Sequence, residues 1–249
     1  MVQISRNPTQ HGPHTEQGSD RHERPDDLSS HSHRQVIGYI GLLLPALLII
    51  MVLLRDGMEL WKNLESISAY YYTGAVAAFV GMLIALALFL FTYRGYENKY
   101  HWSDRAAGIT AAVAALGVAL FPTAAPQGVP QLTWWSSETG VLHYGCAIML
   151  FAMFAVYALW LFRLTSDGNR ISPGKRLRNR VYVACGLVIV VSMVWALLAG
   201  LDDKSIFLPE SIALIAFAIS WLVKGRALRS IRSTARSLLR LQTEPNSSP

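Results

Sequence analysis

Val141–Leu164 reads VLHYGCAIMLFAMFAVYALWLFRL. As a helix this run is long enough to cross a hydrocarbon layer of about 30 Å. His143, near one end, is the only histidine in any apolar run of the chain, and Arg163 stands at the other end. Five further runs look like it, at about 37–54, 70–93, 106–122, 181–200 and 206–224. In lipid the backbone must satisfy its own hydrogen bonds, so spans of this length are helices. The sequence therefore predicts an all-α protein, a polytopic transmembrane bundle of six helices with both termini cytoplasmic.

Composition agrees. Hydrophobic residues make up 52% of the chain and charged residues 15%. Both figures leave the soluble norm in the membrane direction. No stretch outside the runs could bury a core of its own, which excludes a separate soluble domain. Cys146 and Cys185 form no disulfide framework and are expected as small core residues in opposite halves of their helices.

Three regions follow. Residues 1–36 form a polar tail with His11, His14, His22, His31 and His33, too poor in apolar side chains to offset the entropy of ordering. It is expected to be disordered and solvated rather than a metal-binding or signal segment. Residues 37–224 form the transmembrane domain, and 225–249 a basic amphipathic cytoplasmic helix and tail. Within the membrane domain, Pro45 is expected to disturb the first span and Pro209 to sit harmlessly at the start of the last. The third span repeats small residues at a spacing of four (Gly108/Ala112, Ala111/Ala115/Ala119), and Gly81/Ala85 does so in the second. Small residues at this spacing let helices approach closely in lipid, which predicts that the third span is a buried central helix.

Lys and Arg set the orientation. The tail before the first span, the segments 94–105 and 163–180, and the end from Lys224 hold 19 of them; only Arg55, Lys62 and Lys204 lie on the other side. The expected location is a bacterial inner membrane, multi-pass, with both ends inside.

The orientation decides which polar residues can meet. His143 and Glu210 both lie inside spans, at similar depth near the outer face. An ionisable group there usually faces protein or a water-filled cavity and has a partner. A His143–Glu210 pair, completed by Ser66, Ser68, Tyr71, Glu65 and Asp203, is the candidate pocket. The alternatives are bland: Glu210 favoured by its helix dipole, His143 capping a loop, and the tyrosines as an interfacial belt. Any metal would be held by His143 and Glu210. No cofactor is expected.

The inner face is basic. Arg176, Arg178 and Arg180 precede the fifth span, and Arg226, Arg229, Arg232 and Arg236 follow the sixth, the last three in a stripe beside Leu228, Ile231, Ala235 and Leu238. This pattern suits contact with the anionic inner leaflet. Membrane lipids are the expected partners, with a homo-oligomer or a second membrane protein possible and no nucleic acid, since no readout motif accompanies the charge. Asp104 is expected to cap the third span or to pair with Arg94 or Arg180. No phosphate loop, HExxH, G-x-S-x-G or haem or iron–sulfur pattern is present. Charges are absent from the middle of every span, which argues against a proton pump or ion-coupled transporter.

The stretches SISAYYYTG (66–74), FVGM (79–82), YRGYENK (93–99), ALFPT (119–123), LHYGCA (142–147), RNRVYVACG (178–186) and ESIALIAFAISWLVKG (210–225) together resemble a group of uncharacterised bacterial six-helix membrane proteins. In architecture that group is similar to the Frag1/DRAM/Sfk1 membrane proteins. The resemblance implies six helices with both ends inside and brings no activity. Ser66 or Ser68, His143 and Glu210 also loosely resemble the ceramidase-like membrane hydrolases, whose pattern uses a serine, an aspartate and three histidines around a metal. Only one histidine lies on the outer side here, so two of Glu65, Asp203 and Glu210 would have to join it.

The function expected from the sequence is non-enzymatic: a lipid- or small-ligand-binding, sensing or accessory membrane protein with an extracytoplasmic polar pocket. The alternatives are a metal-dependent membrane hydrolase acting on lipid at the outer leaflet, with His143 as metal ligand or general base, and a facilitator for a small solute.

Overall fold

The computed structural model describes residues 25–57, 64–93, 101–164 and 173–226. Among them there are six α-helices and no strand: α1 Pro25–Arg55, α2 Val76–Thr92, α3 His101–Leu120, α4 Ser137–Leu159, α5 Pro173–Leu201 and α6 Phe207–Lys224. Two short 3-10 helices, Ser68–Tyr72 and Leu161–Arg163, precede α2 and follow α4. Four helices, within His31–Arg55, Ser137–Arg163, Pro173–Leu201 and Phe207–Lys224, are long and apolar enough to cross a membrane. The chain is thus an all-helical membrane protein. The helix Val76–Thr92 is apolar but shorter, and α3 is diluted by alanine and glycine.

The helices form a ring in sequence order. Each packs on the next, α6 closes on α1, and α4 reaches across to α6. The joints at one end are explicit: His33 Nε2 lies 2.7 Å from the Phe89 carbonyl, Gln35 donates to the Gly225 carbonyl at 2.8 Å, and Lys224 Nζ to the Phe162 carbonyl at 3.2 Å. At the opposite end the Asp56 carboxylate accepts from Gly74 N–H at 2.8 Å and Arg55 donates to the Gly74 carbonyl at 3.1 Å, tying the end of α1 to the start of α2.

Between helices the contact is side-chain packing, since lipid tails offer no hydrophobic drive to associate. Phe154 of α4 stacks on Phe217 of α6 with centroids 3.6 Å apart. Gly38 and Gly41 of α1 lie against Leu222 and Phe217 of α6, so close that an added methyl would meet either side chain. The outward faces carry Leu43, Ile50, Val113, Ile148, Val191 and Leu198. Apolar belts of this extent on every element suit lipid as the solvent.

Several expectations are corrected. The helix α1 begins at Pro25, well before the expected start of the first span at residue 37. Pro followed by Asp26 and Asp27 is a helix-start pattern, and His33 and Arg34 pack against the bundle instead of standing in solvent. The second span begins at Val76, because Tyr70–Tyr72 belong to the 3-10 turn. The third span is not central: Ile109, Val113, Leu116 and Leu120 face outward. Its small residues pack as expected, with Gly108 against the Leu90 carbonyl and Gly117 against Cys146, whereas Gly81 has no neighbour where its side chain would be. Residues 1–24, the segments 58–63, 94–100 and 165–172, and the expected C-terminal basic helix with Arg229, Arg232 and Arg236 lie outside the described residues.

Candidate functional site

Residues 64–72 lie over the start of α6 and are fixed there by reciprocal capping. The first turn of a helix leaves N–H groups unpaired. The Glu65 carbonyl accepts from Ile206 N–H at 2.7 Å and Phe207 N–H at 2.9 Å, at the entry to α6. In return, Glu210 in the first turn of α6 accepts the Ile67 N–H on Oε2 at 2.7 Å, at the entry to the 3-10 helix. Ser66 Oγ accepts from Ala69 N–H at 3.0 Å and completes that entry.

His143 holds the next residue along. Its ring is 1% exposed, with Nε2 2.8 Å from Ser68 Oγ and Nδ1 2.5 Å from the Phe121 carbonyl. A carbonyl only accepts, so Nδ1 carries the hydrogen. In a neutral imidazole Nε2 then accepts from the Ser68 hydroxyl. Phe121 follows the last residue of α3 and precedes Pro122, which has no N–H to offer. Three successive carbonyls here are taken up by side chains: Phe121 by His143, Pro122 by Trp135 Nε1 at 3.0 Å, and Thr123 by the Tyr72 hydroxyl at 2.7 Å. Gln131 donates to the Tyr72 oxygen at 3.2 Å, and Thr123 Oγ1 donates to the Tyr144 hydroxyl at 2.9 Å. Burial pushes the Tyr72 phenol above its usual pKa, the Gln131 hydrogen bond works against this, and Tyr71 adds a smaller upward push.

Below this polar layer lies a cavity of about 40 Å³. It is lined by Gly41 and Leu44 of α1, Phe79, Leu83 and Leu86 of α2, Val118 of α3, Ala147, Leu150 and Phe151 of α4, and Leu214 of α6, with Ile67, Ser68 and Glu210 at its polar end. That volume exceeds the roughly 10–15 Å³ a single water needs. Water also needs two to four polar partners, and apart from Ser68 and Glu210 at one end the lining side chains are apolar. The cavity therefore suits an apolar group. Along α2 its lining runs from Phe79 to Leu86, which at about 1.5 Å per residue is roughly 10 Å of depth.

The sequence candidates divide as follows. Glu210, Ser66, Ser68 and His143 are brought together, but His143 and Glu210 bind adjacent residues of one segment and no hydrogen bond joins them. Tyr71 packs edge-on against Phe79 at 6.3 Å. Glu65 contributes its backbone carbonyl while its side chain is exposed, and Asp203 stays on an exposed turn with φ 51°. Among the described residues no three of His, Cys, Asp and Glu gather where they could hold one metal ion.

A second buried polar group lies at the other end, and sequence reading missed most of it. Arg34 is 1% exposed and Asp104 7%. Lys224 lies within electrostatic reach of both. Arg34 sits over the Tyr93 ring and Lys224 over the Phe162 ring. Tyr93, Tyr157, Phe162 and Trp221 form the aromatic wall around them. Arg34 stands three residues before the apolar run at 37–54, less than one helical turn, which is the signal that could have placed it in the helix.

Residues 36–227 match the family model described as "Protein of unknown function (DUF998)". No curated protein and no solved structure matches the chain.

Proposed function

Since the chain belongs to the DUF998 family, whose function is unknown, we propose that this integral membrane protein is a non-enzymatic binding, sensing or accessory protein that takes the apolar part of a lipid or small ligand into the bundle. The observation that carries this is the apolar cavity beneath the Ser68–Glu210 layer. All six helices cross a bacterial cytoplasmic membrane in this reading. Both termini are inside, because the basic residues Arg34, Arg163, Arg176, Arg178, Arg180, Lys224 and Arg226 collect at one end. That end rests on anionic lipid, and the latched loops face outward. Likeness in architecture to the Frag1/DRAM/Sfk1 proteins is part of the same proposal.

The test is extraction of lipid from the detergent-purified protein, with Ala147→Phe beside it. Phe in place of Ala147 fills the cavity from α4 without touching the polar layer. Retention of about one apolar molecule per chain, lost in the variant, is the expected result. Equal retention in both proteins would sink the reading.

The Ser68–His143 pair favours a second reading. A hydroxyl 2.8 Å from an imidazole nitrogen, with the other nitrogen oriented by a third group, is the arrangement that activates a serine nucleophile. Lipid at the outer leaflet would be the substrate. Labelling by a fluorophosphonate probe, abolished by Ser68→Ala and by His143→Gln, would support hydrolysis; no labelling of the folded protein counts against it.

A further inference from the structure

We propose that the cleft between the end of α4 and the start of α5 binds the headgroup of phosphatidylglycerol, or an anionic phospholipid with the same hydroxyl-bearing headgroup, and lays one acyl chain along α5. The cleft has a volume of about 380 Å³ and is lined by Arg163, Asn179, Arg180, Val183, Ala184 and Leu187. Among the described residues no acidic one lines it. The proposal rests on the reading of the basic end as the one that meets anionic lipid, and it adds a particular site there.

The chemistry is layered as a phospholipid is layered. Arg163, in the 3-10 turn after α4, is anchored by Nη1 donating to the Leu159 carbonyl at 2.8 Å. Its remaining N–H groups are available for a phosphate. Arg180 has no ion-pair partner among the described residues. Two guanidinium groups at one cleft suit the fork geometry of a phosphate diester. Asn179 lines the same cleft, and its Oδ1 is buried with no hydrogen-bond partner in the described structure. An amide oxygen can only accept, and a diester phosphate has no proton to give. A hydroxyl on the headgroup does, which selects a glycerol headgroup over a bare phosphate. Val183, Ala184 and Leu187 then continue down α5, so the step from Arg180 to Leu187 is roughly 10 Å along the helix. That is the step from phosphate to chain. Leu187 is 55% exposed, open to a chain lying against it.

The full-length protein is reconstituted in phosphatidylcholine vesicles containing a minority of phosphatidylglycerol. It is then extracted in mild detergent, and the retained lipids are quantified per chain. Phosphatidylglycerol should be retained in preference to phosphatidylcholine, and Arg163→Gln/Arg180→Gln should lower its retention about tenfold, the scale of one lost charge-assisted contact. Arg176→Gln/Arg178→Gln removes equal charge from the same end outside the cleft and should lower retention far less than the cleft pair does. Asn179→Ala should remove the preference for phosphatidylglycerol over phosphatidylmethanol, which has the phosphate and no hydroxyl. Equal losses in the two arginine pairs would mean surface charge alone and overturn the site while leaving the basic-end reading intact. Loss in neither pair would overturn both. Displacement of the lipid by inorganic phosphate would assign the arginines to a free anion and also overturn the proposal. Helical content and elution volume confirm that each variant is folded.

Discussion

At His143 one ring closes two gaps that lipid would leave open. The Phe121 carbonyl precedes a proline that has no N–H to offer, the Ser68 hydroxyl is buried, and the imidazole partners both. His143→Ala should therefore lower stability by about 1–3 kcal/mol, the cost of stranding buried polar groups, read as a fall in thermal midpoint in detergent. Glu210 separates charge from shape. Glu210→Gln keeps an oxygen for the Ile67 N–H and should be nearly silent, whereas Glu210→Ala should cost about 1–2 kcal/mol, as a lost cap does. Similar losses in both variants would mean that the carboxylate charge matters and the cap does not. Tyr72 gives a pH signature. Its phenol holds its proton more tightly in the folded state than in the unfolded chain, because it is partly buried. The associated stability is complete below the usual value of about 10 and falls as pH rises past it. The decline of the midpoint above that pH should be shallower in Tyr72→Phe.

At the scale of the element, the glycines show which faces touch. A methyl on Gly108 would sit 2.8 Å from the Leu90 carbonyl oxygen, a backbone atom that cannot swing aside. A methyl on Gly81 would meet nothing within 4 Å. Gly108→Ala should thus destabilise by about 1–3 kcal/mol, the usual range for overpacking. Gly81→Ala should be neutral or slightly stabilising through helix propensity. Thermal midpoints of the two proteins in one detergent separate these outcomes. Both glycines open a small-xxx-small pattern, and only one meets a neighbour at close range. The repeat of small residues marks a surface that permits close approach; it does not say whether another helix takes it up. That is why α3 reads as central from its composition and yet turns Val113 and Leu120 outward.

For the whole molecule, the sequential ring places the start of α1, the end of α4 and the end of α6 at one end, tied by Gln35–Gly225 and Lys224–Phe162. With that end cytoplasmic, single cysteines at Ser205 and Gly174, in a chain with Cys146 and Cys185 replaced by Ser, should differ in intact cells. A membrane-impermeant thiol reagent should label Ser205→Cys and reach Gly174→Cys only after the cells are broken. The reverse pattern would invert the proposed topology.

The apolar runs alone determined that the chain is helical and built for a membrane, because hydrocarbon tolerates only a closed backbone and a helix closes it locally. They also placed most of the helices and marked His143 and Glu210 as unusual, since an ionisable group inside a span needs a reason. The tertiary structure decided what that reason is. No hydrogen bond joins His143 and Glu210; each reaches a backbone or hydroxyl group of residue 67, 68 or 121. The Ile67 N–H and the Phe121 carbonyl are main-chain groups of a kind nearly every residue carries, so no pattern of side chains reveals them; only the Ser68 hydroxyl was legible as a candidate. The same holds for Lys224, which lies within electrostatic reach of Arg34 and Asp104 because α6 closes the ring against α1, a long-range arrangement that local periodicity does not encode.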